Sequence, residues 1–392
     1  MNKTFHQRLA AACRELCCGL LFAAAFSVST FGRLSSPPDR NEPAAKDVAA
    51  VFSAWGSPQE PGLAVLVRRS GRTVFERGYG SSDLRAGSPI DAHTNFRLAS
   101  CTKQFTALAV MLLVHDGRLH LDDRLTGIFP EFPAYGRAIT VRNLLNHTSG
   151  LAAYEDLLSR QYAGKEWEEI PQISDAGVLH LMEQQTATKF PPGTTWDYSN
   201  SGYCVLARVV EQASGVPFAD FLRQRIFVPL RMSNTLAYEY GKQPVKDRAY
   251  GYTKDATVWL ETDQSPTSAT LGDGGVYSSL DDLSRWDDAL RQHTLLSETE
   301  VRAALTPVTL PEGSRSWPEG LGGGPVQYGF GWFLNPYRGY ARMWHYGESI
   351  GFRTFIERFP AEGLTIVILA NRTDLDPAAL VAKVADLYLV AH

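Results

Sequence analysis

Residues 96–103, Phe96-Arg97-Leu98-Ala99-Ser100-Cys101-Thr102-Lys103, stand at the head of an apolar helical pattern that runs over 102–115. They set a hydroxyl and an ammonium three residues apart, and an i, i+3 spacing puts both side chains on one helical face. A helix N-terminus adds free backbone N–H groups and a partial positive charge, which favour an attacking alkoxide and the oxyanion it creates. That is the physical content of an S-x-x-K nucleophile. Ser100 and Lys103 form the only such pair in the chain. The plainer reading of the same residues is a capping serine beside a solvated lysine.

Outward from this segment, the pattern changes from helix to strand in both directions. Residues 61–80 read as two β-rich runs joined at Ser70-Gly71, the composition of a hairpin, after a helix-like stretch at 44–55. Residues 100–318 are mostly helical in pattern, at 102–115, 140–145, 175–185, 202–214, 217–227 and 280–291, with Gly/Pro-rich loops at 191–195, 272–275 and 322–325. Strand patterns return at 328–334, 341–345, 352–359 and 364–370, and an amphipathic helix follows at 377–390. The expected fold class is α+β: an antiparallel sheet built from the N- and C-terminal parts of the chain and flanked by helices, with a large, mostly helical insertion at about 100–318. No internal repeat is present.

Two further motifs carry chemistry. Residues 191–203 (PPGTTWDYSNSGY) hold the only Y-x-N, Tyr198 and Asn200, directly before a helix. A phenol acts as a general base when a nearby cation lowers its pKa of ~10, and Lys103 is the candidate cation; a core tyrosine followed by a capping asparagine is the plainer alternative. Near the C-terminus, Trp344-His345-Tyr346-Gly347 ends one strand pattern before the next begins, and a satisfied sheet histidine is the plain reading of His345. A competing nucleophile, Ser349 in Gly347-Glu348-Ser349-Ile350-Gly351, matches the G-x-S-x-G elbow. That motif requires a helix directly after it and a histidine further on. Here the following residues are strand-like and the sole later histidine is His392, so Ser349 is set aside.

Ser100, Lys103, Tyr198, Asn200 and H-x-G in this order, flanked by a hairpin and C-terminal strands, resemble the serine β-lactamase and penicillin-binding protein superfamily, in particular its class C β-lactamase-like branch. The resemblance spans about residues 61–371 and includes Asn146-His147-Thr148-Ser149-Gly150-Leu151 and Gly272-Asp273-Gly274-Gly275. It implies a β-lactamase/transpeptidase-like domain over 44–392. It also implies Ser100 as acylated nucleophile, Lys103 and Tyr198 as the proton-transfer pair and Asn200 as a substrate or positioning contact. The oxyanion hole would be formed by the backbone N–H groups of Ser100 and Glu348, with His345, Gly347 and Glu348 on the substrate's side. The chain departs from the family where β-lactamases carry Lys-Thr-Gly and it has His345-Tyr346-Gly347. An imidazole, mostly neutral at pH 7, replaces a permanent cation that would grip a substrate carboxylate. Esters are therefore expected ahead of β-lactams. A peptidase acting on D-amino-acid or cell-wall peptides is the alternative, with Arg353 or Asp273 as partner to a substrate carboxylate or amine. A penicillin-binding protein that acylates without turnover is the reading from a different class.

Composition and termini bound the rest. The 392 residues, 44% hydrophobic and 20% charged, suit a folded globular chain, and 38 Lys+Arg against 42 Asp+Glu provide no global positive field for nucleic acid. Basic residues before an apolar run at 16–28 read as a signal peptide over 1–30, followed by a linker at 31–43, so export to the periplasm or medium is expected. Retention of residues 16–28 as a membrane anchor is the alternative, and the only route to a membrane partner. Three of the five cysteines, Cys13, Cys17 and Cys18, lie there; Cys101 and Cys204 are expected as buried free thiols. No H-E-x-x-H, P-loop or dinucleotide glycine motif occurs, so no metal or cofactor is implied, and the expected partner is a small-molecule ester, amide or peptide. Trp196 and Trp344 flank the motifs as candidate walls of an acyl pocket.

Overall fold

In the computed structural model of the chain, residues 43–311 and 326–389 are described. The signal, linker and N-terminal cysteine readings, the loop at 322–325 and the terminal His392 lie outside the described residues.

The sheet joins the two ends of the chain, as its pattern predicts. Helix α1 (Ala45–Val51) leads into strands β1 (Leu63–Arg69) and β2 (Arg72–Tyr79). Arg69 pairs with Arg72 across the two-residue turn Ser70-Gly71, whose φ values of +49° and +78° are those of a hairpin turn with both central residues left-handed. The C-terminal part supplies β3 (Gln327–Tyr328), β4 (Phe333–Leu334), β5 (Met343–Ser349), β6 (Phe352–Phe359) and β7 (Leu364–Ala370). The strand order is β3-β4-β5-β6-β7-β1-β2, antiparallel throughout. Leu63 pairs with Ala370 and Leu66 with Val367, so the two halves close in the middle of the sheet.

β7 (LTIVILA) is buried along its whole length because the sheet is covered on both faces. Val367 and Leu369, with Ala64 and Leu66 of β1, face the helical body. Ile366 and Ile368, with Val65 and Val67, face α1 and the C-terminal helix Pro377–Tyr388. At ~1.5–3 kcal/mol for each large aliphatic side chain fully buried, this pair of strands anchors both layers.

The helical body contributes α2 (Lys103–His115), α3 (Tyr154–Gln161), α4 (Asp175–Glu183) and α5 (Asn200–Ser214), among others. Three details depart from the sequence pattern. The segment before α2 is a separate 3-10 turn, Ala99–Thr102. The run 328–334 is two short strands around a turn rather than one. The body also contains short strands at Phe96–Arg97, Leu236–Ala237 and Val276–Ser278, which pair with one another, and a hairpin of Tyr252–Asp255 with Val258–Glu261. Elements of two to four residues are held by distant partners and leave no periodic trace in sequence.

Candidate active site

Ser100 lies within the 3-10 turn, between α2 and the edge of β5. Its predecessor Ala99 has φ +47°, a left-handed conformation that costs an L-residue ~1–2 kcal/mol. Neighbouring contacts hold it there: Leu98 N–H donates to the Val276 carbonyl at 2.8 Å, and Val276 N–H to Thr102 Oγ1 at 3.1 Å. β5 passes so close that a Cβ on Gly347 would collide with the Leu98 carbonyl oxygen and Thr354 Oγ1, and would lie 3.2 Å from Ala99 Cβ. Only glycine fits at 347, and its presence brings the backbone of Gly347-Glu348 alongside that of Ser100.

Lys103 begins α2 and is fully buried. Its Nζ is 3.0 Å from Ser100 Oγ, 2.8 Å from Asn200 Oδ1 and 2.9 Å from the Asp273 carbonyl oxygen. The Asn200 amide is oriented from behind, since its Nδ2 donates to Glu155 Oε1 at 2.8 Å. Burial holds the Lys103 pKa below the usual lysine range, against the opposing pull of Asp273, Cys204 and Glu155. In its neutral form the amine has two N–H bonds, matching the two groups that can only accept, and one lone pair, matching the Ser100 O–H. Burial likewise pushes the Glu155 carboxyl up, with the Asn200 hydrogen bond working the other way.

The Gly272-Asp273 loop is fastened from below. Asp175 accepts from Leu271 N–H at 2.8 Å and Gly272 N–H at 3.1 Å, and Thr106 Oγ1 donates to the Gly272 carbonyl at 2.6 Å. A Cβ at Gly272 would meet the Tyr203 carbonyl oxygen, so the loop seats directly on α5.

Tyr198 arrives from the loop before α5, where Ser199 caps the helix by accepting from Gly202 N–H at 3.1 Å. Its ring centre is 4.9 Å from Lys103 Nζ. The phenol oxygen is buried with no hydrogen-bond partner among the described residues. Burial drives its pKa well above 10, and the Ser100 hydroxyl is the neighbour that favours ionisation. The expectation that Lys103 lowers this pKa is therefore corrected: burial is the largest influence on the phenol and acts in the opposite direction.

His345 also requires correction. It is fully buried, its Nδ1 donates to the Tyr346 carbonyl at 2.7 Å, and its Nε2 accepts from Tyr328 O–H at 3.0 Å. Burial, then the charge of Lys103, lowers its pKa to about 3. The imidazole is neutral at every working pH and has no free nitrogen for substrate; its ring stands 6.3 Å from that of Tyr198 as part of the wall. Glu348 is exposed and pairs at 2.8 Å with Arg353, which engages the Ser349 and Phe352 carbonyls as well. The Asp273 carboxylate is buried, with Oδ2 accepting from Tyr154 O–H at 3.3 Å and Oδ1 without a hydrogen-bond partner among the described residues.

Ser349 lies at a strand-to-strand hairpin, pairing with Phe352, which opens β6 after the two-residue turn Ile350-Gly351, and no helix follows as a nucleophile elbow demands. Trp344 is buried in the core, stacked on Phe333 at 4.7 Å and Phe355 at 5.3 Å. Trp196 is half-buried beside His147 and Phe333. Cys101 and Cys204 are buried free thiols. The sequence reading missed Glu155, which no motif marks, and left His147 without a role.

Comparison with known proteins gives a consistent picture. The Beta-lactamase family model matches residues 47–390. Penicillin-binding protein 4* of Bacillus subtilis (strain 168) is 32% identical over 342 residues, covering 84% of this chain and 72% of that protein. A D-aminopeptidase of Cereibacter sphaeroides is 29% identical over 317 residues, 79% of this chain but only 57% of the relative's length. In fold, the chain is similar to a D-amino acid amidase from Ochrobactrum anthropi SV3, with a TM-score of 0.71 and 24% identity over 87% of this chain and 97% of that one.

Proposed function

The chain belongs to the beta-lactamase family and is a hydrolase, and from that premise we propose that it is an exported serine hydrolase working through an acyl-enzyme on Ser100, with neutral esters as preferred substrates. The single observation that carries the preference is the neutral, enclosed His345, which leaves no permanent cation where a substrate carboxylate would be gripped.

In the proposed sequence, Ser100 O–H donates to neutral Lys103 Nζ, and the alkoxide attacks the acyl carbon as the proton passes to the amine. The oxyanion is received by the backbone N–H groups of Ser100 and Glu348 on the closely approaching β5. The Tyr198 phenol donates to the leaving-group oxygen or nitrogen, and its proton is restored from Lys103. Water then repeats the steps on the acyl-enzyme. Asn200 serves here as a positioning residue, because both ends of its amide are engaged, by Lys103 and Glu155.

A second reading, hydrolysis of amides bearing a free amine, is favoured by Glu155: a partly exposed carboxylate two hydrogen bonds from Lys103, in a chain with a D-aminopeptidase among its relatives. A panel of p-nitrophenyl esters, D-amino-acid anilides and a chromogenic cephalosporin, run on wild type and Ser100→Ala, tests both readings. Esters should be cleaved fastest, the cephalosporin slowest, and Ser100→Ala should cleave none; cephalosporin turnover matching the best ester would overturn the preference. Export is tested by mass spectrometry of the secreted chain, expected to begin after residue 25; recovery of Met1 would replace the signal with an anchor.

A further inference from the structure

His147 belongs to the Asn146–Leu151 loop, which the proposed chemistry leaves unused. It is fully buried and has φ +63°, a conformation uncommon for any residue other than glycine. Its carbonyl oxygen accepts from Asp197 N–H at 2.9 Å and its Nδ1 accepts from Ser199 N–H at 3.0 Å. Asp197 and Ser199 are the two chain neighbours of Tyr198. The imidazole itself lies 4.4 Å, centre to centre, from the Tyr198 ring. One residue thus holds the backbone on both sides of the phenol and packs against the ring between them.

We propose that His147 is the positioning residue for Tyr198, its Nδ1 and carbonyl oxygen fixing the Asp197–Ser199 backbone so that the phenol stays beside Ser100. The inference rests on the reading of Tyr198 as proton donor. With Nδ1 accepting, the ring proton is on Nε2, and Nε2 has no hydrogen-bond partner among the described residues. Its surroundings are the rings of Tyr198, Tyr203 and Tyr328, at 4.4, 5.1 and 4.4 Å. A buried donor left unsatisfied is a cost. Packing alone does not account for it, because a leucine or phenylalanine would fill the same box without a stranded N–H. What an apolar side chain cannot supply is the acceptor for Ser199 N–H. Burial holds the ring well below the usual histidine pKa, which keeps Nδ1 free to accept.

Three substitutions separate positioning from packing. His147→Asn places Oδ1 where Nδ1 stands and tolerates the left-handed backbone. His147→Gln keeps the polarity but moves the acceptor by one bond, and His147→Leu removes it. With p-nitrophenyl butyrate as probe, the Asn variant should keep kcat within about fivefold of wild type. The Gln and Leu variants should lose about 10²-fold or more in kcat, the scale of a misplaced acid-base group, with KM within about threefold. Asn losing as much as Leu, or folded Gln and Leu variants within tenfold of wild type, would overturn the inference. So would loss of the fold in all three, which would make the residue structural. Should only the Leu variant fail to fold, Asn against Gln decides. Tyr198→Phe run alongside keeps the two claims apart: wild-type kcat in that variant removes the reading of Tyr198 itself, whereas an inactive Tyr198→Phe beside an active His147→Gln removes only the role of His147.

Discussion

Lys103 Nζ lies 3.0 Å from Ser100 Oγ, fully enclosed, and its other two close neighbours, the Asn200 Oδ1 and the Asp273 carbonyl, can only accept. That set of partners serves either an ammonium donating to all three or a neutral amine with its lone pair on the serine hydroxyl, and desolvation, which lowers the lysine pKa, favours the neutral form. In the proposed mechanism, burial is therefore what prepares Lys103 to act as the base for Ser100.

Lys103→Met should reduce kcat/KM by ~10² to 10⁴, and Lys103→Arg should not rescue it, since a guanidinium remains charged and takes no proton. In wild type, kcat/KM should rise with pH as Lys103 deprotonates, through a midpoint below the ordinary lysine value of ~10.4, and this limb should be missing from the residual rate of the Met variant. A pH–rate profile on a neutral ester checks both.

Because the His345 pKa is about 3 rather than near ~6.5, the enzyme's discrimination between a neutral ester and a cephalosporin should not change through protonation of that ring between pH 6 and 8. The ratio of the two kcat/KM values at the two pH values is the measurement. A shift of several-fold that His345→Gln abolishes would show an imidazole titrating in contact with substrate.

Glu155→Gln should raise KM for D-amino-acid anilides at least about tenfold, while leaving KM for p-nitrophenyl butyrate within about threefold, if the carboxylate receives a substrate ammonium. Gln can still accept from Asn200, so the ester rate reports whether the hydrogen-bond chain to Lys103 has survived.

The Asp175 carboxyl is raised by burial from 3.8 to about 7. Between those values the folded state binds more protons than the unfolded one, so this group's contribution makes stability fall as pH rises from ~4 to ~7. Urea unfolding of wild type and Asp175→Asn at pH 5 and pH 7.5 should show wild type losing ground to the variant at the higher pH. Parallel behaviour at both would contradict the raised pKa.

Legibility from sequence followed the range of the interactions. The β1–β2 hairpin and β7 were readable because Ser70-Gly71 and the run LTIVILA are local signals. Ser100 and Lys103 were readable because three residues separate them, and Tyr198 because it shares a triplet with Asn200. Glu155 and His147 were not, since their partners Asn200 and Ser199 lie 45 and 52 residues away and only folding brings them together. For His345 the plain reading, a satisfied sheet histidine, is the one the fold matches, because Tyr328 and the Tyr346 carbonyl engage both ring nitrogens, an enclosure the motif alone does not reveal.

The central claim is the covalent intermediate, and the most direct measurement is mass spectrometry of enzyme quenched within a few turnovers of a p-nitrophenyl ester, followed by peptide mapping. The predicted result is a single acyl adduct on the peptide containing Ser100, absent in Ser100→Ala and undiminished in Ser349→Ala. An adduct on Ser349, or turnover that leaves Ser100 unmodified under conditions where p-nitrophenol is released in a burst, would contradict it.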